Sequence, residues 1–360
     1  MATENGNRDA VDRVLEEFRD PETGRGITKM EQVRDVRLDG GRLSLTLALT
    51  THSGPLWGET RDALVDALRS AVPDLKEIEV DVVRHDRPAT KIGEIGLAAK
   101  SVVAVGSGKG GVGKSTIAAS IAYGLNGAGC IVGLMDADVY GPSIPHLLGM
   151  SGRPEVEDSR IQPLVRDGMP VMSMGFLVPA GEAVIWRGPM LHGAITQMLR
   201  DTAWGQLDYL IIDMPPGTGD IALTLSQLLP LTGAVIVCTP QDVALLDAVK
   251  AIAMFRKVNI PVLGMVENMS YFLCPGCERR YDIFGSGGAQ RRAAELDVPF
   301  LGEVPINMQI RIHGDDGQTG RNFDDQQTAP YLQAICKNLA RGVAGNSGEE
   351  PPLPSLSVIG

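Results

Sequence analysis

The sequence predicts an α/β domain, with a mostly parallel sheet covered by helices on both faces, preceded by a small α+β domain. From about residue 98, short apolar runs rich in Val and Ile alternate with helix-length segments. That alternation is typical of parallel sheets with helices on both faces. The 360 residues are enough for two domains. We expect a small domain at 1–84, a linker at 85–97, the main domain at 98–342 and a disordered tail at 343–360.

The small domain is expected to contain two helices and three strands. Apolar residues recur at helical spacing over residues 11–18 and 59–72, so each stretch is predicted to form a helix. Strands are predicted at 33–38, 43–49 and 78–83. Asp39, Gly40 and Gly41 separate the first two strands and indicate a hairpin.

The main domain is expected to repeat a strand, a loop and a helix. Apolar, β-branched runs predict the strands, and longer segments between several of them predict helices. The predicted strands are 102–105, 131–135, 209–212, 234–238, 262–266 and 300–304. The predicted helices are 116–125, 191–199, 243–256 and 289–296.

Charge and hydropathy exclude several classes of protein. The chain has 44 acidic and 33 basic residues and a net charge of −11. An acidic surface disfavours binding to nucleic acid or to an anionic membrane. No stretch has 18 uncharged apolar residues, and the amino terminus has no apolar signal segment. We therefore expect a cytoplasmic protein that binds neither nucleic acid nor membrane.

The strongest local motif is a phosphate-binding loop. A predicted strand precedes it and a predicted helix follows it, which is the context that the motif requires. Glycines let successive N–H groups face a phosphate, and the helix amino terminus adds partial positive charge. The lysine is expected to bridge the β- and γ-phosphates and the serine to hold Mg²⁺. The pattern G-x-x-x-x-G-K-[ST] is formed by Gly108, Lys109, Gly110, Gly111, Val112, Gly113, Lys114 and Ser115.

Lys109 is a second lysine inside this loop, and the motif does not require it. One interpretation is a solvated surface charge. The other is a cation that reaches a phosphate across a subunit boundary, as an arginine finger does. The residues alone leave both open.

Three aspartates follow predicted strands, where a parallel sheet places its ligands. Asp213 is expected to hold the Mg²⁺ shell, and Asp136 and Asp138 to orient the attacking water and the waters of the metal. Amides of the turn at 215–220 are expected to contact the γ-phosphate. Each aspartate could instead cap a helix or form a turn.

The five cysteines divide into two groups. Cys130, Cys238 and Cys336 lie in apolar surroundings and are expected in the core. Cys274 and Cys277 form the chain's C-x-x-C, and a [4Fe–4S] cluster takes four thiolates. A four-thiolate site therefore needs a second copy of the chain. Zinc accepts the same four sulfurs, so the ligand count leaves the metal open. The five histidines show no clustered spacing, and we assign them no metal role.

Together these strings resemble a known family. The loop at 109–116 is similar to the deviant Walker A loop of the MinD/ParA/nitrogenase-reductase class of dimeric ATPases. Residues 98–342 resemble the Mrp-type iron–sulfur cluster carriers within that class. The matching strings are D-A-D-V-Y-G-P-S-I-P at 136–145, W-R-G-P at 186–189, I-D-M-P-P-G-T-G-D at 212–220, T-P-Q-D-V-A at 239–244, V-E-N-M-S at 266–270, C-P-G-C at 274–277 and I-F-G-S at 283–286.

The resemblance implies a homodimeric ATPase that binds ATP and Mg²⁺ in the loop through Thr116. Lys109 of each subunit would reach the phosphates bound by the other, and Asn268 would contact the adenine. Cys274 and Cys277 would hold a [4Fe–4S] cluster between the subunits. The implied partners are cluster-assembly proteins and recipient apoproteins.

Residues 1–84 resemble the small iron–sulfur assembly domain that often precedes such ATPases. Gly54 stands where that domain commonly has a cysteine, which favours protein contact over thiol chemistry. Two alternatives remain for the whole chain. A positioning ATPase would carry a basic terminal helix, whereas this tail is acidic and proline-rich. A zinc-bridged scaffold is the other.

Overall fold

The computed structural model describes residues 2–39, 41–177, 188–217, 219–277 and 279–347. The chain forms two compact units. One comprises the chain up to Arg87 together with the chain from Ala340 onward, and the other runs from Pro88 to Leu339. The division between Arg87 and Pro88 falls within the segment 85–97 that the sequence predicts to be a linker.

The first unit is a three-stranded sheet packed with two helices. Strand order is β1-β2-β3, with β1 and β2 antiparallel and β2 and β3 parallel. Its core includes Leu43, Leu47, Leu64 and Leu68, all fully buried. The elements are α1 (Ala2–Glu17), β1 (Val33–Asp39), β2 (Arg42–Leu49), a 3-10 helix (Thr51–Leu56), α2 (Trp57–Ala71) and β3 (Glu77–Arg84).

The second unit alternates strands and helices along most of its length. Its strands are β4 (Lys91–Ile92), β5 (Leu97–Gly106), β6 (Val132–Asp136), β7 (Val156–Glu157), β8 (Arg160–Ile161), β9 (Leu164–Arg166), β10 (Met169–Ser173), β11 (Leu207–Asp213), β12 (Gly233–Cys238), β13 (Val262–Leu273), β14 (Arg280–Tyr281) and β15 (Phe300–Ile306). Its helices are α3 (Lys114–Gly127), α4 (Ile144–Leu147), α5 (Gly188–Arg200), α6 (Gly219–Leu228), α7 (Asp242–Lys257), α8 (Gly288–Glu295) and α9 (Met308–Asp315), with 3-10 turns at Met174–Phe176 and Thr319–Phe323. Helix α10 (Ala329–Ser347) begins in this unit, and its residues from Ala340 onward belong to the first unit.

The central sheet of this unit is mostly parallel, as predicted. The parallel strands follow the order β15-β13-β12-β5-β11-β6-β10. Strands β9, β14 and β4 pair antiparallel with β10, β13 and β5. The strand β5 lies between β11 and β12, so the segment that follows β5 emerges at the carboxyl edge of the sheet centre.

The short strands β4, β7, β8, β9 and β14 were not predicted, and two further differences bear on the site. The strand β10 was not predicted, because a proline and a serine interrupt its short apolar run, yet it adds a parallel strand beside β6. The strand β13 continues to Leu273, seven residues beyond its predicted end. Its polar residues Glu267, Asn268 and Ser270 are buried and hydrogen-bonded, so the strand does not need an apolar sequence there.

The end of the chain also departs from expectation. Helix α10 continues to Ser347, so residues 343–347 are helical rather than disordered. Val343 is fully buried, which explains why the helix persists through this segment. The rest of the predicted tail, 348–360, lies outside the described residues.

The second unit has one large core on its sheet. Cys130, Cys238 and Cys336 are buried in this unit, which confirms their predicted structural role. Burial raises the pKa of both Cys238 and Cys336 to about 12, so these thiols stay protonated near neutral pH. Among the described helices, none combines the length and apolar character needed to cross a lipid bilayer.

Candidate functional site

The phosphate-binding loop lies where β5 ends and α3 begins, at the centre of the sheet. Gly111 and Gly113 both have φ near +80°, a left-handed conformation that side chains disfavour. Gly108 is required for space, because a Cβ there would lie 2.2 Å from the backbone carbonyl of Asp247. The glycines are therefore needed to form the loop itself, before any ligand is considered.

Asn268 is placed against this loop. Its Nδ2 donates to the carbonyl of Val112 at 2.9 Å, and it lies 2.2 Å from the position that a Cβ on Gly113 would take. The resemblance implied a contact with adenine, whereas in the ligand-free chain the amide holds the loop. Asn268 also lines a cavity beside the loop. The contact with the loop and the implied contact with adenine would therefore use the same side-chain amide.

That cavity has a volume of about 290 Å³ and is bounded by the loop on one side and by the chain after β15 on the other. Its walls are largely apolar, and the ion pair between Arg311 and Asp315, at 2.6 Å, lies at its border. A mostly apolar pocket with a few polar groups is typical of small-molecule sites. The cavity is lined by Gly113, Thr116, Leu147, Asn268, Met269, Pro305, Ile306, Asn307, Ile310, Arg311, Gly314 and Asp315.

The lysine of the loop is buried among carboxylates. Lys114 Nζ lies 2.5 Å from Asp213 Oδ1 and 3.6 Å from Asp138 Oδ2, and it donates to Ser115 Oγ at 3.1 Å. Lys114 is 6% exposed and Asp213 is fully buried. The structure therefore brings the predicted lysine, the serine and two of the three aspartates into one cluster.

One of the two carboxylate oxygens of Asp213, Oδ1, pairs with Lys114. The other oxygen, Oδ2, is buried and has no hydrogen-bond partner among the described residues. Burial raises the pKa of Asp213, although the neighbouring Lys114 ammonium opposes that rise. A buried, unpartnered carboxylate oxygen beside a serine hydroxyl suits Mg²⁺, which prefers oxygen ligands.

Asp136 is engaged differently from the expectation that it orients water. It lies opposite Asp213 in the parallel register of β6 and β11. Its oxygens accept hydrogen bonds from Asp138 N at 3.1 Å, Ile144 N at 3.2 Å and Ser173 Oγ at 2.9 Å. Burial, and secondly the charge of Asp213, raises the pKa of Asp136 to about 8. Asp136 thus holds the loop that carries Asp138, and Asp138 is the one that faces Lys114.

Two backbone amides that follow β11 donate hydrogen bonds to other backbone carbonyls. Met214 N donates to Val105 O at 3.0 Å, and Gly217 N donates to Ser107 O at 3.0 Å. The Gly217 amide, expected to contact a γ-phosphate, is therefore bonded to the loop in this state. Thr218 of the same turn, and Trp186 and Arg187 of the W-R-G-P string, lie outside the described residues.

Lys109 is half-exposed, and none of the described carboxylates lies within 4 Å of its ammonium. Its carbonyl accepts a hydrogen bond from Ser107 Oγ at 3.0 Å, which fixes the backbone of the loop at this point. The ammonium of Lys109 is therefore not engaged by a carboxylate of the described residues.

Cys274 and Cys277 lie in the turn between β13 and β14. Cys274 N donates to Arg279 O at 3.0 Å and closes the hairpin. Cys274 is half-buried and Cys277 is exposed, and both are free thiols. The backbone N–H of Gly276, and then the Cys277 thiol, lower the pKa of Cys274. The turn thus presents two free thiols, and the described part of the chain places no group of three or more Cys, His, Asp or Glu side chains to share a metal.

Sequence reasoning missed several residues that shape the site. Ser173, on the unpredicted strand β10, bonds Asp136. Asp247, on α7, limits residue 108 to glycine. Glu267 is fully buried and accepts from Gly287 N at 2.9 Å and Ala289 N at 2.7 Å, at the start of α8. A buried glutamate inside the quoted string V-E-N-M-S was the one available hint.

Two family models match the chain. Residues 98–340 match the ParA model, described as NUBPL iron-transfer P-loop NTPase. Residues 8–82 match the model described as iron–sulfur cluster assembly protein. An iron–sulfur cluster carrier protein of Deinococcus radiodurans is 44% identical over 354 residues, covering 97% of this chain and 99% of that protein.

Solved structures agree in fold. A nucleotide-binding protein from Archaeoglobus fulgidus, in complex with ADP and with cobalt, is 42% identical with a TM-score of 0.56. The match covers 62% of this chain and 88% of that one. The cell division ATPase MinD of Pyrococcus furiosus is 21% identical with a TM-score of 0.50, covering 66% and 98%, and supports the fold alone. The predicted fold class is thereby confirmed, and the chain belongs to the family of NUBPL iron-transfer P-loop NTPases.

Proposed function

We propose that this protein is an ATPase that holds a [4Fe–4S] cluster between two copies of the chain and delivers it to apoproteins. The observation that carries the proposal is the free pair Cys274 and Cys277 on the hairpin after β13, in the same unit as the phosphate-binding loop. The pair supplies two of the four thiolates that such a cluster takes.

A second copy would complete the ligand set. The described residues offer no third metal-binding side chain near the pair. A two-fold axis beside the hairpin would bring two such pairs together, because a symmetric dimer repeats the same surface on both subunits. Because the ligands would come from both subunits, a change in dimer geometry would also weaken the binding of the cluster.

The relatives favour a carrier over a positioning ATPase. The Deinococcus protein that aligns along nearly the whole chain is named an iron–sulfur cluster carrier, whereas the likeness to MinD is one of fold. The match of residues 8–82 to an assembly-protein model supports contact with cluster-assembly proteins through the small domain. Gly54 lies in the 3-10 helix Thr51–Leu56, so no thiol is offered there.

ATP fits the loop and the adjacent cavity. The triphosphate would lie against the loop amides and Lys114, and the nucleoside would enter the 290 Å³ cavity past Thr116. Asn268 would then exchange its bond to Val112 for the adenine. Ser115 and Asp213 would hold Mg²⁺, which supplies charge neutralisation for the β- and γ-phosphates.

Lysines of the loop and aspartates at the end of β6 would take part in ATP hydrolysis. Lys114 lies between Asp213 and Asp138, and its ammonium would exchange part of this pairing for a phosphate oxygen. Asp138, which lies 3.6 Å from the lysine, would orient a water, while Asp136 accepts a hydrogen bond from the Asp138 amide and would keep the loop in position. Lys109 would reach the phosphates bound by the partner.

Nucleotide state and cluster release would be coupled through β13. Asn268 contacts the loop, and Cys274 follows the end of the same strand six residues later. Six residues of chain span at most about 22 Å, so the two sites lie close together along one strand. Hydrolysis or nucleotide exchange would thereby change the dimer geometry at the cysteines.

The experiment is anaerobic reconstitution of the full chain with iron and sulfide. The expected result is a coloured dimer that contains about four iron ions and about four sulfide ions per two chains. Cys274→Ser should abolish cluster binding and leave ATP binding intact. The control Cys130→Ala changes a buried thiol and should keep the cluster. A colourless dimer that contains zinc and never takes up iron would instead establish the zinc-bridged scaffold.

A further inference from the structure

We propose that a second cavity, beside Cys274, binds a neutral, extended peptide segment of the recipient protein that carries the accepting cysteine. The inference rests on the proposed carrier function and names the docking site for its recipient. The cavity has a volume of about 400 Å³, and Cys274 forms part of its wall. The lining also includes Leu273, Asn307, Gln326, Gln327 and Tyr331.

The lining is polar but uncharged. None of its ten residues is Asp, Glu, Lys, Arg or His, so no carboxylate, ammonium, guanidinium or imidazole in the wall selects a charged ligand. Two glutamines and an asparagine supply carboxamides, each of which both donates and accepts hydrogen bonds, as a peptide group does. The matching ligand chemistry is therefore an uncharged peptide main chain.

These amides have capacity for a ligand. Gln326 and Gln327 are exposed, and their side chains form no hydrogen bond with the described residues. Asn307 Oδ1 accepts from Gln309 N at 2.7 Å, which leaves its Nδ2 free to donate into the cavity. Tyr331 is fixed by a hydrogen bond of 3.0 Å between its hydroxyl and that of Tyr271. The cavity thus combines one rigid wall with amides that can adapt.

Because the cavity lies beside Cys274, a segment bound there would be able to accept the cluster. A cysteine in that segment would lie next to the iron that Cys274 holds. Transfer is then a ligand substitution: an iron–sulfur bond to the recipient forms as the bond to Cys274 breaks. The proton of the incoming thiol passes to the Cys274 sulfur, and no electron is transferred.

The cavity also borders the nucleotide side. Pro305, Ile306 and Asn307 line both this cavity and the 290 Å³ cavity beside the loop. A recipient segment would therefore lie against the same stretch of chain as the nucleoside.

The test uses thiol–disulfide exchange on the iron-free full chain carrying Cys277→Ser, so that Cys274 is the one cysteine among the described residues that is not buried. The probe is the capped tripeptide acetyl-Ala-Cys-Ala-amide, activated as its 2-thiopyridyl disulfide. Attack by the Cys274 thiolate forms a mixed disulfide and releases 2-thiopyridone, which is followed by absorbance. We expect the rate to saturate with peptide concentration, because binding precedes exchange.

The variant Gln326→Ala/Gln327→Ala should raise the half-saturating peptide concentration at least about five-fold and leave the maximal rate unchanged, since it removes two amides without touching the thiol. The matched control Gln290→Ala removes an exposed amide on α8 and should change neither value. Exchange with 2,2′-dithiodipyridine should be identical in all variants. A rate that stays linear in peptide, or a double variant that behaves like the control, would overturn the proposal.

A charged probe separates the occupants. The 2-thiopyridyl disulfide of glutathione carries two carboxylates and an ammonium group, and we expect no saturation with it. Saturation by glutathione but not by the capped peptide would assign the cavity to a small thiol and refute the peptide site. The assay contains no iron, so a failure of cluster uptake would refute the carrier function and leave this result standing.

Discussion

The ammonium of Lys114 lies 2.5 Å from the carboxylate of Asp213 at the carboxyl edge of the central sheet. Both groups are buried, and Asp213 Oδ2 has no other partner among the described residues. A buried charge depends on its partner, since water is excluded. The loop lysine is therefore a structural counter-ion for this buried carboxylate.

Lys114→Ala should both abolish ATP binding and destabilise the chain. It leaves the buried Asp213 carboxylate unpaired beside Asp136, which costs about 3–5 kcal/mol for a broken buried pair. Calorimetric titration with ATP and thermal unfolding check the two effects. Lys100→Ala is the control, because it breaks the 2.9 Å ion pair with Asp208 outside the site. Lys100→Ala should lose stability yet bind ATP, and equal ATP affinity in both variants would contradict the assignment.

Gly113→Ala should be costly for two separable reasons. Its φ of +80° strains any side chain by about 1–2 kcal/mol, and the new Cβ would lie 2.2 Å from Asn268 Nδ2. Asn268→Ala removes the second effect alone. The cost of Gly113→Ala in unfolding free energy should therefore fall by about 1 kcal/mol in the Asn268→Ala background.

Gly111→Ala is the matched control for that cycle. Gly111 has the same φ of +80°, but nothing lies within 4 Å of its added Cβ. Its cost should be the backbone strain only, with no change in the Asn268→Ala background. Strict additivity between residues 113 and 268, measured by denaturant unfolding, would mean that Asn268 does not support the loop.

The sequence predicted the strands whose patterns are apolar and the loop whose motif needs its context. Both predictions depend on local chemistry. A β-branched apolar run favours a buried strand, and the phosphate-binding loop requires glycine at fixed positions. The extension of β13 through Asn268 to Leu273 was not predictable in this way. Its buried polar residues are satisfied by groups distant in sequence, such as Val112 O, 156 residues away from Asn268.

The roles of the aspartates show the same limit. Spacing placed Asp136 and Asp138 together after one strand, but it could not say which one faces the lysine. That choice is made by Ser173 and by the Ile144 amide, which bind Asp136 and leave Asp138 directed at Lys114. Ser173 lies on the strand that the sequence did not predict.

Asp136 should make the ligand-free chain less stable as the pH rises. Its folded pKa of about 8 lies above the ordinary value of 3.8, so the folded state binds a proton that the unfolded state has released. The resulting stability is fully present below about pH 4 and is lost as the pH rises through 8, with a slope of up to about 1.4 kcal/mol per pH unit. Asp136→Asn should flatten this slope between pH 5 and about 8.

Urea unfolding at several pH values, with magnesium chelated, measures that slope. Asp316→Asn is the control, because Asp316 is exposed in the same unit. The control should keep the slope of the unmodified chain. An Asp136→Asn variant with an unchanged slope would show that Asp136 is ionised in the folded state at neutral pH.

Lys109 should act across the subunit boundary. It is half-exposed and no described carboxylate pairs with it, whereas Lys114 of the same loop is buried and paired. Lys109→Ala should therefore keep ATP affinity, which depends on Lys114, and lose most of the rate of hydrolysis. Removal of a cation supplied in trans typically lowers the rate by a factor on the order of 10³. Steady-state phosphate release and nucleotide titration measure the two quantities.

Mixing two inactive variants decides whether the lysine acts in trans. A dimer of one Lys109→Ala chain and one Lys114→Ala chain has one site with Lys114 in its own loop and Lys109 from its partner. Random assembly of equal amounts should restore about a quarter of the unmodified activity, because half of the dimers are mixed and each has one complete site. If Lys109 served its own subunit, neither site of a mixed dimer would be complete. Mixtures that stay as inactive as each variant alone would therefore assign Lys109 to the loop of its own chain.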